Sequence, residues 1–469
     1  MTPLLFLLSS FLPQPIMKIS RIIVLMLENR SFDHLLGYSK LPLEGIPEGQ
    51  TVPMDPDDVS KGSKDINPNG LDECIDDPLH GFDNIHNQIN GGDMDGWLKE
   101  SSNEGRDLDN PISMFTPTTA PIINTLAEEF AVFDHYYCSV PSSTDPNRAY
   151  AMSGTSNAMV TNFNGTLWSQ QSHIDWLNSR NVSAGGYYQT DLWALGYFED
   201  YHKEQNAKRI KEMDNFYTDL KSGDLPAYTW LQPRSSVHDG LLPSWQHPDA
   251  RVSLGEELIK DVYEAVRADP LWNETLFVVT YDEHGGYYDH VDPPATVSPD
   301  GIDADNGFEF DKLGIRVPAL AVSPWTRRGE VYNGGSPSAN SFDHASLIRT
   351  TNELLGAEGF MTARDEWSKS FAGVLTDEYR DDTPATLPEV YGLDGLDRTA
   401  EVEYQKSKPI NEHLAHQMMM FCKMHYPHEF EEGKVCRSAE GHVGNQGMAS
   451  RWIKAEQDKF LKAAGRQNK

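Results

Sequence analysis

An α/β fold, with a mostly parallel central sheet flanked by helices, is predicted by three features of the sequence. Residues 21–27 (RIIVLML) form a short continuous apolar run of the kind that a strand buried on both faces requires. Two further runs, residues 275–280 (TLFVVT) and 317–322 (VPALAV), have the same character. Just upstream of them, residues 252–268 carry Leu254, Leu258, Ile259, Val262 and Val266 at helical spacing, so an amphipathic helix is expected there. Strands alternating with helices imply a sheet covered on both sides.

The order along the chain divides into three parts. Residues 4–12 are mostly apolar but far short of the ~20 residues that a bilayer span needs. The first basic side chain, Lys18, follows this run instead of preceding it. Residues 1–20 thus read either as a weak secretory signal or as an extension upstream of a start at Met17. The compartment stays open between secreted, peripheral-membrane and cytoplasmic. A main domain is expected over residues 21–375, with an insertion rich in Gly, Pro, Asn and Asp over residues 41–111 that reads as functional or lid-like. Residues 376–469 read as a smaller carboxy-terminal accessory region, acidic and broken at first and then helical over 411–425 and 448–465. In the last of these, Trp452, Ile453, Phe460 and Leu461 share one face. That face suits packing on the domain better than lying on a membrane surface.

Composition removes several classes of function. The 469 residues carry a formal charge of −32, so nucleic acid is excluded as a partner for want of a basic footprint. Aromatic residues at 10% exclude disorder throughout. The four cysteines, Cys74, Cys138, Cys422 and Cys436, show no CxxC spacing, which indicates neither a disulfide scaffold nor a cysteine zinc site. The N-x-S/T triplets at Asn29, Asn164, Asn181 and Asn273 are no more than chance supplies.

Chemistry-bearing residues gather at the ends of the apolar runs. The first run passes into Glu28-Asn29-Arg30-Ser31-Phe32-Asp33-His34 and the second into Tyr281-Asp282-Glu283-His284. In open α/β sheets ligands bind at the carboxyl edge of the strands, so both clusters should face one crevice. Adjacent carboxylates repel and are costly to desolvate, and a bound cation is one way to offset that. A third segment, Cys138 to Arg148, places Thr144 just before an expected helix start, with Asp145 as the N-cap and Pro146 at the first helical position. A hydroxyl there can attack phosphorus while helix amides stabilise the oxygens and Arg148 clamps one of them. Solvated loop acids and an ordinary capping turn explain each cluster alone; the combination points to phosphoryl transfer to a side chain followed by hydrolysis. His80, His247, His284 and His344 are candidates to line the pocket or to protonate the leaving alkoxide.

Four motifs in order resemble those of a known phosphoesterase family, which includes non-specific phospholipases C of plants and bacteria and a related bacterial acid phosphatase. They are ENRSFDHLLG from Glu28, TDPNR from Thr144, DEHGGYYDHV from Asp282 and GIRVPALAVSP from Gly314, and the resemblance covers roughly residues 21–355. It implies an alkaline-phosphatase-like fold and hydrolysis of glycerophospholipids, such as phosphatidylcholine, to diacylglycerol and a phosphorylated head group. It also implies a threonine phosphorylated during turnover. Carried over residue by residue, Thr144 would be the nucleophile; from the residues themselves, His284 and His344 are expected as further catalytic residues. Asn29, Arg148, His80 and His247 bind substrate. Glu28, Asn29, Asp282 and Glu283 form an acidic site that holds a divalent metal ion in some members. The expected partners are a glycerophospholipid and, peripherally, a membrane surface. Two departures stand out: Asn157, after Ser153-Gly154-Thr155-Ser156, and Ala250-Arg251, after His247, occupy places where a histidine is common. Both remove proton donors and imply an altered rate or pH response. A phosphomonoesterase of the same fold and a catalytically silent phospholipid-binding module are the competing readings.

Overall fold

The computed structural model describes residues 19–463 apart from 163–164, 204–205, 207, 333–340 and 432–433. The apolar run at residues 4–12, Asn164 and the end of the last helical pattern lie outside the described residues. The strands are β1 (Arg21–Leu27), β2 (Thr51–Pro53), β3 (Ser63–Asp65), β4 (Ala131–Phe133), β5 (Tyr136–Tyr137), β6 (Ala184–Tyr188), β7 (Ile210–Glu212), β8 (Tyr228–Gln232), β9 (Thr275–Tyr281), β10 (Ala319–Val322), β11 (Glu330–Val331) and β12 (Phe342–Asp343). Eight of them form the central sheet in the order β11-β4-β10-β9-β1-β8-β6-β7.

The sheet is α/β and mostly parallel, as its continuous apolar strands require. All seven residues of β1 and all seven of β9 are buried, and the two strands pair in parallel from Arg21–Thr275 to Leu27–Tyr281. The third apolar run differs in direction. It forms β10, which begins only after Pro318, a residue with no N–H to give to a ladder, and runs antiparallel to both β9 and β4. The amphipathic helix Val252–Ala268 forms over the expected residues and buries Leu254, Leu258, Ile259, Val262 and Val266.

Residues 41–111 build a lobe with its own small core. Val52, Ile85, Ile89, Trp97 and Leu98 pack there against Tyr288 and Ile315 of the main body. Carboxy-terminal residues join the main core directly: Leu414, Met418 and Phe421 on the helix Glu412–His425, and Trp452, Ile453 and Leu461 on the helix Gln446–Ala463. The apolar face of the last helix is therefore spent on the protein body. Cys422 and Cys436 form a disulfide with Cα atoms 5.5 Å apart, a local link that their wide spacing from the other cysteines did not indicate. Cys74 and Cys138 are free. Among the described residues, no helix is long and apolar enough to cross a membrane.

Arg316 ties three of the four motifs together. Its guanidinium reaches Asp289 at 2.9 Å and Asp33 at 3.1 Å, and donates to the carbonyls of Glu44 and Asp134. His290 Nδ1 lies 2.6 Å from Asp33 as well. All three charged side chains, Arg316, Asp33 and Asp289, are fully buried. Breaking a buried ion network leaves uncompensated charge behind. Arg316→Met is expected to lower the unfolding free energy by about 3–5 kcal/mol in urea denaturation; a loss within error of zero would remove Arg316 from this role.

Candidate active site

Register places the acids side by side. Because Leu27 pairs with Tyr281, the next residues, Glu28 and Asp282, leave the sheet together at its carboxyl edge. Asn29 follows in a left-handed conformation, φ 56°, which turns its backbone N–H onto Asp282 Oδ1 at 3.0 Å. Gly285, φ 66°, comes so close that a Cβ there would meet the Asn29 carbonyl oxygen at 2.2 Å, so no side chain fits that turn. Glu28, Asn29, Asp282 and Glu283 are all buried.

A helix start completes the floor. The helix runs Thr144–Ser153 with Ser143 as its N-cap, so the cap falls two residues earlier than Asp145 and Thr144 is already the first helical residue. Ser143 takes the extended backbone (φ −74°, ψ −171°) that ends the preceding turn. Thr144 Oγ1 donates to Glu28 Oε1 at 2.8 Å. Four residues on, and hence on the same face, Arg148 Nε donates to Glu28 Oε2 at 3.1 Å and Asp282 Oδ2 at 3.0 Å. Its Nη2 reaches the Leu27 carbonyl at 2.9 Å, and its guanidinium lies 4.0 Å from the Trp193 ring centroid. Arg148 is fully buried beneath the acids and does not reach the open space expected of a substrate clamp.

Above this floor opens a cavity of about 740 Å³. Glu28, Thr144, His80 and His247 line it, joined by acids the sequence reading did not single out, Asp77 and Asp249. His80 lies 3.2 Å from Asn29 Nδ2 through Nε2, and its Nδ1 lies 2.7 Å from the Pro78 carbonyl. Asp77 sits between the imidazoles, 3.6 Å from His80 Nδ1 and 3.5 Å from His247 Nε2, while Asp249 holds His247 Nδ1 at 2.9 Å. The opposite wall comes from the carboxy-terminal region, including Asn411, His413 and His416. Asn411 Nδ2 donates to Asp249 Oδ2 at 2.6 Å, and the His413 ring stands edge-on to Trp193 at 4.4 Å. Apart from the i, i+3 spacing of His413 and His416 on a helix, no local signal marks that wall.

His284 and His344 are not brought to the cavity. His284 points into the lobe, with Nε2 2.9 Å from Gln88 Oε1. His344 Nε2 donates to the Asp282 carbonyl at 2.6 Å and its Nδ1 lies 3.4 Å from the Tyr136 hydroxyl, so both ring nitrogens are engaged under the floor. Asn157 is exposed on a neighbouring groove and Ala250 is buried beside Asp249, so neither leaves a gap at Thr144.

Burial and charge set the proton affinities. Burial, reinforced by Asp282, raises the Glu28 carboxyl well above the usual range in spite of Arg148. Burial alone would lower His80, but Asp77 and Glu283 more than reverse this and push it up to about 9. His247 is likewise opposed by burial and raised well above its usual value by Asp77 and Asp249. His413 is driven well below by burial and by the neighbouring His416 and His247. The cavity thus holds two imidazolium cations at neutral pH above an acidic floor.

Two groups of residues could hold a cation. Asn29 Oδ1 and Glu283 Oε1 are buried without a hydrogen-bond partner among the described residues, next to Glu28. Asn29 Oδ1 is an unmet hard oxygen of the kind a divalent metal takes, whereas Glu283 Oε1 also faces His80 Nε2 at 3.8 Å. Asp282 fits less well, because Oδ1 already accepts from the amides of Asn29 and Glu283 and Oδ2 from Arg148. Asp77, His80 and His247 also present ligand atoms within 4.8 Å of one another, but this trio could ligate only with both imidazoles deprotonated, so it holds either a metal or the two imidazolium protons. The similar trio Asp33, Asp289 and His290 already surrounds Arg316.

A mostly parallel α/β sheet with a hydroxyl on an acidic floor, beneath paired imidazolium groups, defines a hydrolase of phosphate esters. The chain belongs to the phosphoesterase family, which it matches over residues 19–356. It is 35% identical over 415 residues to non-specific phospholipase C3 of Arabidopsis thaliana, covering 79% of this chain and 76% of that one. With non-specific phospholipase C6 of the same plant it shares 33% over 472 residues, 94% and 88% of the two chains. With the non-hemolytic phospholipase C of Burkholderia pseudomallei it shares 26% over 467 residues, 83% and 64%. Among solved structures, the phosphonate monoester hydrolase of Agrobacterium radiobacter aligns over 78% of each chain at 9% identity and a TM-score of 0.36, too remote to bear on the chemistry.

The imidazolium groups should govern anion binding. Affinity for inorganic phosphate, followed by calorimetry in chelator, is expected to fall as pH rises through about 9, where His80 loses its proton. In Asp77→Asn the fall should move to lower pH, because the carboxylate that raises both imidazoles is gone. An unchanged pH profile in that variant would count against the cationic pair.

Proposed function

We propose that the protein is a phospholipase C that hydrolyses glycerophospholipids to diacylglycerol and a phosphorylated head group through a covalent intermediate on Thr144. The observation that carries this reading is the 2.8 Å hydrogen bond from Thr144 Oγ1 to Glu28 Oε1 on the floor of a cavity flanked by His80 and His247. The phospholipase C relatives support the substrate class.

In the first half-reaction Thr144 Oγ bonds to phosphorus and its proton passes to Glu28, the carboxylate that already accepts the Thr144 hydrogen bond. The bond from phosphorus to the glycerol oxygen breaks, and that oxygen takes a proton from the imidazolium of His80 or His247. Water then attacks the same phosphorus and gives one proton to the neutral imidazole, restoring the imidazolium; the Thr144 oxygen leaves and recovers the proton held by Glu28, and the phosphorylated head group departs. Arg148 keeps Glu28 and Asp282 together beneath the nucleophile and is a positioning residue, as His344 is through the Asp282 carbonyl. Glu28, Asn29 and Glu283 would hold a divalent metal, with Asp282 behind them. Such an ion neutralises phosphoryl oxygens and makes a nearby hydroxyl more acidic. Contact with the membrane is peripheral and depends on local docking, because a strongly acidic protein gains no long-range attraction to anionic lipid.

Thr144→Ala is expected to abolish release of diacylglycerol from phosphatidylcholine with the fold intact by circular dichroism, whereas Ser142→Ala and Ser143→Ala stay active. Peptide mapping after rapid acid quench should show Thr144 carrying the phosphoryl head group. Turnover of p-nitrophenyl phosphate without any release of diacylglycerol would make the enzyme a phosphomonoesterase instead. Lipid binding without turnover of either substrate would leave only a binding module.

A further inference from the structure

His247 reaches the cavity from the turn Trp245-Gln246-His247, and the middle residue of that turn holds an uncommon backbone. Gln246 is left-handed, φ 74°, a conformation that a residue with a Cβ rarely adopts, and it is fully buried. Its neighbours on both sides line the cavity, whereas the Gln246 side chain runs the other way into the core. Strain of this kind beside a functional side chain persists only where the surrounding contacts hold it.

Those contacts are specific. Gln246 Oε1 accepts from the Tyr281 hydroxyl, and its Nε2 donates to the Val252 carbonyl at 2.8 Å. The Gln246 carbonyl accepts from Arg30 Nε at 2.7 Å, and the Trp245 carbonyl accepts from the Glu28 N–H at 2.9 Å. Tyr281 is the last residue of β9 and Glu28 the first after β1, so the turn is tied to both strand ends that carry the acids. The helix Val252–Ala268 leaves room for it. A Cβ on Gly255 would run into Gln246 Cγ, so this seat accounts for a glycine in a helix interior, where its propensity is poor. On the cavity side the Trp245 ring stacks on the His247 imidazole, with centroids 4.5 Å apart and planes inclined by 20°. Asp77 and Asp249 contact the ring nitrogens but stand on loops themselves, so they orient the imidazole without tying it to the strands.

We propose that Gln246 is a positioning residue for the reaction: by bridging Tyr281, Val252 and Arg30 it fixes the turn that sets the His247 imidazole above Thr144. The inference rests on the phospholipase C reading for the reaction that His247 serves. It makes the place of this imidazole a property of the same two strand ends that place Glu28 and Asp282.

The test is a double-mutant cycle in the full chain, with phosphatidylcholine in mixed micelles. Gln246→Gly tolerates the left-handed turn but removes both side-chain bonds, and should lower kcat at least about tenfold while the circular dichroism spectrum stays that of the folded protein. Tyr281→Phe, which removes one bond and leaves Gln246 in place, should lower it about fivefold. In a His247→Ala background neither change should lower the rate further, because a residue that acts through His247 has nothing left to place. Losses of equal size in both backgrounds would make Gln246 a merely structural residue and overturn the proposal, as would a wild-type rate in Gln246→Gly or in His247→Ala. If Gln246→Gly fails to fold, Tyr281→Phe decides by the same comparison. Where His247→Ala leaves no measurable rate, the cycle is read in affinity for inorganic phosphate, by calorimetry in chelator. The same measurement separates this inference from the catalytic reading. If the wild type cleaves no lipid yet binds phosphate, and Gln246→Gly weakens that binding only when His247 is present, the catalytic reading fails and the positioning role stands. Equal weakening in both backgrounds, or no phosphate binding by an inactive wild type, overturns the positioning role.

Discussion

Three carboxylates buried at the ends of two paired strands are the constraint on which the rest of this site is built. Moving a carboxylate out of water costs several kcal/mol even after relaxation, and Glu28, Asp282 and Glu283 lie together under almost complete burial. The structure answers with one guanidinium. Arg148 bridges Glu28 and Asp282, and because it sits one helical turn beyond Thr144, the charge balance of the floor also fixes where the hydroxyl points. The position of the Thr144 hydroxyl and core stability are therefore a single arrangement. The glycine at 285 belongs to it as well, since only a residue without a Cβ lets the strand-end loop close on the Asn29 backbone.

The framework was legible because it depends on local pattern. Continuous apolar runs marked β1 and β9, the helical spacing of Leu254 to Val266 marked its helix to the residue, and an abrupt change to polar residues marked the carboxyl edge of the sheet. The family motifs were legible for a related reason: Asp33, Asp289 and Arg316 recur as motif residues and meet as one buried network. The direction of β10 was not legible, since an apolar run has no polarity of pairing. Nor were the orientations of His284 and His344. A histidine beside a catalytic acid in sequence turns to the cavity or away from it according to the loop's backbone, which composition does not encode. Asp77, Asp249, His413 and His416 escaped because they come from segments far apart in the chain, with no periodicity of their own.

Charge in this protein acts at short range. A formal charge of −32 makes the surface field unfavourable to an anionic ligand, yet His80 and His247 stay protonated in the cavity because Asp77 lies within 4 Å of both. At physiological salt the surface field is screened within about 8 Å, whereas a partly buried triad is screened far less. A residue type that repels anions at a distance thus serves, at Asp77, to keep positive charge inside the cavity.

The carboxy-terminal wall has a further consequence for how the enzyme comes into being. Strand ends, helix start and lobe are all made before residue 357, but the side of the pocket holding Asn411, His413 and Gln446 is translated last. On the ribosome the growing polypeptide carries Thr144 in a trough that lacks this wall. The trough gains its last wall only when the final helices emerge and dock, so the order of synthesis itself postpones the moment at which a finished pocket exists.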